Sequence, residues 1–143
     1  MTKIRTYIDA NVIINAWRGL GPFQDNAFAI LEDPDRILLS SAFLQLELLP
    51  KPTFHKNVGE VAFINRILEH TVHVPTDEQI PRKALELSSR YDLAAIDALH
   101  AAAAITGGAD ELATFESREK PLYKIPPAEL FVMSLHPDDF KIH

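Results

Sequence analysis

The chain has no cysteine. Disulfides and thiolate metal sites are therefore excluded, and the composition suits a reducing compartment. Basic residues are in the minority: 14 lysines and arginines stand against 20 aspartates and glutamates, for a net charge of −6. A chain with that balance is a poor general binder of phosphate backbones. No apolar run is long enough to cross a bilayer. Residues 1–5 lead straight into a strand-like segment, so no secretory leader is expected. The expectation is a cytoplasmic protein with no membrane contact. No P-loop, GxSxG elbow or GxGxxG turn is present. The six histidines form no helical pair flanking a glutamate, so the usual zinc-hydrolase signature is missing. There is also no aromatic platform on which single-stranded RNA would stack.

What is there is enough apolar material for a core, 47% of 143 residues. That is too much for a disordered chain and suits a single domain over residues 1–143. β-prone stretches alternate with helical periodicity. Strands are expected at residues 3–9, 36–40, 71–74, 111–115 and 130–135. Helices are expected at residues 12–17, 23–31, 43–48, 58–68, 76–91 and 94–105. Ser40 or Ser41 is placed to cap the third helix. Pro50-Lys51-Pro52 ends that helix or bends the chain into another. The helix near residue 76 starts either at a Thr76/Gln79 capping box or with Pro81 as its first residue. Gly107-Gly108 closes the alanine-rich helix. Such alternation argues for an α/β fold with a parallel sheet covered on both faces.

Four acidic residues stand out from their surroundings. Asp9 ends the first strand, where open α/β sheets place ligands, although it also suits the N-cap of the helix behind it. Glu47 is the only charge in Ala42-Phe43-Leu44-Gln45-Leu46-Glu47-Leu48-Leu49, and its helix is expected to turn it toward the protein. Asp97 is the only formal charge in its near-polyalanine helix. Glu116 ends the fourth strand and opens a charged run that also suits a solvated loop. An ionised carboxylate buried without a partner costs several kcal/mol. A shared divalent cation would satisfy all four, since carboxylate oxygens are the ligands of Mg²⁺ and Mn²⁺. His100, three residues after Asp97, shares roughly the same helix face. It suits either packing at the margin of the acidic site or a hydrogen bond to it. Arg118 and Lys120 follow Glu116 closely enough to touch a phosphate beside it. Trp17 and Phe23 suit either the core or a partner surface.

Tyr7-Ile8-Asp9-Ala10-Asn11-Val12, Glu47 in its apolar helix, Asp97-Ala98-Leu99-His100-Ala101-Ala102 and the stretch from Gly108 to Glu116 occur in the order of a known family. The chain resembles the PIN domain family, including the toxin components of VapBC-type toxin–antitoxin pairs. The resemblance implies a three-layer α/β/α, Rossmann-like fold around a mainly parallel five-stranded sheet. It implies a Mg²⁺- or Mn²⁺-dependent endoribonuclease in which Asp9, Glu47, Asp97 and Glu116 are the catalytic, metal-binding carboxylates. Glu116 stands where the family more often has aspartate. Asn11 and Thr114 would orient ligands or water beside them, and Asp110 would be either an extra acidic contact or a loop-surface residue. The implied partners are an RNA substrate, an antitoxin protein and a second copy of the chain in a homodimer. The alternative expectation is a non-catalytic PIN-like module that binds RNA or protein without cutting it.

Overall fold

A computed structural model describes residues 2–142. Its centre is a five-stranded sheet built from β1 (Ile4–Ile8), β2 (Arg36–Ser40), β3 (Val72–His73), β4 (Glu111–Thr114) and β5 (Phe131–Ser134). The strand order is β3-β2-β1-β4-β5, and every neighbouring pair is parallel. Parallel neighbours need crossover connections, and helices supply most of them. Among the described residues these are α1 (Ala10–Arg18), α2 (Pro22–Leu31), α3 (Ala42–Leu48), α4 (Pro50–Phe54), α5 (Val58–Glu69), α6 (Gln79–Tyr91) and α7 (Ala95–Thr106). The last crossover uses only a 3₁₀ turn, Pro121–Lys124. The result is the expected α/β/α arrangement, with the sheet wholly rather than mainly parallel.

The central strands read as continuous apolar runs because both of their faces are covered. Tyr7, Ile8, Leu39, Leu112 and Ala113 are fully buried. Each large apolar side chain so buried contributes roughly 1.5–3 kcal/mol. A core holding many of them outweighs the several kcal/mol that one buried carboxylate costs. On α7, Ala98 and the run Ala101 to Ala104 are buried, and these small side chains let the helix lie close to its neighbours α6 and β4.

Two helix ends aim the functional residues. α6 stops at Asp92, whose left-handed backbone (φ 58°, ψ 44°) Asp tolerates better than most residues. The Ser88 hydroxyl donates to the Leu93 carbonyl at 2.6 Å, and α7 restarts at Ala95 with Asp97 in its first turn. α7 ends at Thr106 with Gly107 as its C-cap; Gly108 beyond it is also left-handed (φ 74°), and the Ala109 amide reaches back to the Ala104 carbonyl at 2.9 Å.

Pro50 bends the chain into another helix, α4, the second of the two expected outcomes, because proline at the first helical position lacks an N–H that would be unpaired anyway. Two details differ from the sequence expectation. α6 begins at Gln79 and takes Pro81 into its first turn, so neither expected start applies. Ser41 stands at the N-cap of α3, yet its hydroxyl makes no capping bond. It is committed to Tyr7 instead.

Candidate metal centre at the carboxyl rim of the sheet

All five strands run the same way, so their C-terminal ends share one rim. Asp9 follows β1 there, Ser41 follows β2 on one side, and Phe115-Glu116 follow β4 on the other. Asp9 is the buried member of the acidic set, 7% exposed. Its Oδ1 accepts from the Ala10 amide at 2.7 Å, making it the N-cap of α1. Its Oδ2 accepts from Thr114 Oγ1 at 2.8 Å. Burial raises its pKa above the ordinary carboxylate range, partly offset by His100, Thr114 and the Ala10 amide.

Thr114 also accepts from Asn11 Nδ2 at 3.2 Å and from the Glu116 amide at 3.1 Å. Asn11 Oδ1 in turn accepts from the Phe115 amide at 3.0 Å. Asn11 and Thr114 thus tie the start of α1 to the end of β4 and fix the direction in which Glu116 leaves the sheet.

Glu47 is exposed on α3, whose buried positions are Leu44 and Leu48. The expectation that its helix turns it toward the protein is corrected accordingly. Its carboxylate still reaches inward: Oε1 lies in short hydrogen-bond contact with His100 Nε2. One ligand atom each from Asp9, Glu47 and His100 lies within 4.8 Å of the others. Asp97 is half-buried one helical turn before His100. Burial raises its pKa, as does the charge of Glu47, while His100 and Lys120 act against the rise. Glu116, also half-buried, is raised by burial and then by Asp9, Asp97 and Glu47. Glu116 thus lies within reach of the charges of the other three carboxylates.

Behind the trio runs a buried polar chain. His100 Nδ1 is 2.7 Å from Tyr7 Oη, and Tyr7 Oη is 2.6 Å from Ser41 Oγ. Burial pushes the Tyr7 hydroxyl well above its usual pKa, so it stays protonated. Tyr7 precedes Asp9 by two residues, so strand alternation turns both side chains to the same side of the sheet. Ser41 carries no such signal in the sequence.

Other residues fall away from the centre. Asp110 caps the opposite end of the sheet, accepting from the Arg5 amide at 2.8 Å. Arg118 is paired with Asp139 at 3.1 Å. His70 and His73 are exposed. Trp17 and Phe23 are each partly exposed; Trp17 stacks near Phe63, and Phe23 lies beside Phe115 and His136. Lys120 is close enough for its charge to reach Asp97 and Glu116. A cleft of about 530 Å³ opens beside Glu47, with Arg18, Lys51 and His55 among its lining residues.

Three carboxyl groups held above their ordinary pKa, with a fourth at hydrogen-bond distance from the histidine beside them, fit a hard divalent cation, whose charge offsets both their burial and their mutual repulsion. With this geometry in place, the chain belongs to the PIN domain family, whose pattern its residues 6–125 match. Two solved structures are similar in fold. One is VapBC2 from Rickettsia felis bound to a DNA fragment from their promoter, at 15% identity and a TM-score of 0.71, covering 92% of this chain and 98% of that chain. The other is a toxin–antitoxin complex from Klebsiella pneumoniae, at 20% identity and a TM-score of 0.69, with the same coverage of both chains. No curated protein sequence matches the chain.

Proposed function

We propose that the chain is a divalent-metal-dependent endoribonuclease of the cytoplasm and the toxin of a toxin–antitoxin pair. The observation that carries this reading is the convergence of Asp9 and Glu47 with His100, one polar atom of each within 4.8 Å of the others, at a rim where Asp97 and Glu116 add their charge. Asp9 and Glu47 would hold Mg²⁺ or Mn²⁺, and Asp97 and Glu116 would complete the acidic surround. Bound there, the ion supplies charge stabilisation for a phosphodiester and a water made nucleophilic at neutral pH.

The protein's own part is positional. Thr114 and the Ala10 amide hold the Asp9 carboxylate in one orientation. Asn11, through the Phe115 amide, fixes the approach of Glu116. Arg18 and Lys51 in the adjacent cleft, and Lys120 at the rim, supply cations for phosphates along an otherwise acidic molecule. Base stacking is not needed for such backbone contact.

The partner side of the proposal is supported by the similarity to toxin–antitoxin complexes. It is also supported by Leu46, Phe54 and Val58 on α3, α4 and α5, which are 67%, 80% and 76% exposed. Large apolar side chains gathered at a surface mark interaction sites. A small open reading frame beside the gene is the expected source of the antitoxin, and the free chain is expected to be a homodimer by light scattering.

The purified chain should cleave RNA with Mg²⁺ or Mn²⁺, stop with EDTA, and leave DNA and small phosphate esters intact. Full cleavage by both Asp9→Asn and Asp97→Asn would overturn the nuclease assignment. RNA binding without cleavage in the wild type would make the chain a binding module instead.

A further inference from the structure

The Ser41–Tyr7–His100–Glu47 chain is not explained by the carboxylates alone. Its four members come from the start of α3, β1, α7 and the body of α3, so the fold brings them together from three separate elements. The imidazole is 2% exposed and has both nitrogens engaged. It lies against the tilted Tyr7 ring at 5.6 Å and edge-on to Phe43 at 6.4 Å, so the ring has little freedom to turn.

The direction of one proton follows from the partners. Glu47, when ionised, can only accept hydrogen bonds. A bare lone pair on Nε2 facing a carboxylate oxygen would be repelled, so the proton sits on Nε2 and points at Glu47. Nδ1 is then free to accept from the Tyr7 hydroxyl, and Ser41 in turn donates to Tyr7. Each hydrogen is used once, and no buried side-chain polar atom is left without a partner among the described residues. A nitrogen that ligated a metal would have to lose that proton first and part from Glu47.

We propose that His100 is a positioning residue rather than a metal ligand: anchored by Tyr7 on Nδ1, it uses Nε2–H to hold the Glu47 carboxylate at the ion site. This rests on the metal-centre reading above and adds to it. Glu47 projects from an exposed helix of under two turns, and a free glutamate side chain there would lose rotamer freedom on binding the cation. The buried chain removes that freedom in advance.

The test uses Mn²⁺ bound to the full chain. Affinity is followed by calorimetry and the coordination sphere by electron spin-echo spectroscopy, with melting curves to confirm that each variant folds. In the wild type, no directly bound ¹⁴N is expected on Mn²⁺. Tyr7→Phe deletes one oxygen and touches no ligand, yet should weaken Mn²⁺ binding on the order of tenfold. His100→Gln places an amide N–H near the position of Nε2–H and should bind Mn²⁺ more tightly than His100→Ala. Directly bound nitrogen in the wild type, or unchanged affinity in Tyr7→Phe, would overturn the positioning role and leave the metal centre standing. Failure of the wild type to bind Mn²⁺ would remove both.

Discussion

Thr114 Oγ1 donates to Asp9 Oδ2 at 2.8 Å, so the last residue of β4 holds the carboxylate that follows β1. Thr114 is fully buried, and Asp9 nearly so. Thr114→Val keeps the shape and removes the donor. The variant should lose about 1–3 kcal/mol of stability, because the carboxylate keeps its burial and loses a hydrogen bond. It should also cleave RNA more slowly. Urea unfolding read beside the cleavage rate checks both effects.

The acidic rim has a stability consequence with a defined sign. Burial, the largest cause in each, raises the pKa of Asp9, Asp97 and Glu116 above its ordinary value. A group whose pKa is raised by folding adds stability below its unfolded pKa. That contribution is lost as pH rises through the folded value. Asp139 and Glu119 are held low, first by Ser134 and Ser117, and act in the opposite sense. A comparison of variant with wild type isolates the rim. Without metal, Asp97→Asn should melt above the wild type at about pH 7.5, and the gap should close toward about pH 4. The same variant should be inactive. Melting curves in EDTA across that range decide the point.

The cleft beside Glu47 makes a separate prediction about substrate. Arg18→Ala and Lys51→Ala should weaken RNA binding without changing Mn²⁺ affinity. Each should lower the salt dependence of binding by roughly 0.7 in log–log slope, the value for one phosphate contact on a single strand. An unchanged slope in both would place the RNA elsewhere.

Gly108 tests the fold apart from the chemistry. A Cβ there would meet nothing nearer than Arg5 Nε at 3.8 Å, so space is not the obstacle. Its φ of 74° is, because L-residues with a side chain pay roughly 1–2 kcal/mol in the left-handed region. Gly108→Ala should therefore lower the melting temperature and leave the metal affinity as it was.

Much of this fold is legible from periodicity alone. β2 falls where its apolar run stands, and α5 starts where its pattern starts. The start of α6 is harder to read, because proline marks a break in one context and a place in a helix's first turn in another. Glu47 shows the limit of reading burial from neighbours. It sits among leucines, but Leu46 beside it is 67% exposed, so apolar company does not place a short helix's face inward. The acidic residues are visible because each is alone or ends a strand. Asn11 and Thr114 are visible only by resemblance. The Ser41–Tyr7–His100 chain is not visible in advance, because its members meet only after the sheet has formed, and no local pattern encodes a contact across 93 residues.

Asp9 begins α1 with one oxygen and turns the other toward the rim. A silenced yet intact version of the protein is therefore close at hand. Asparagine at position 9 can still accept from Ala10 while surrendering its charge, whereas alanine there would disarm the molecule and fray its first helix together.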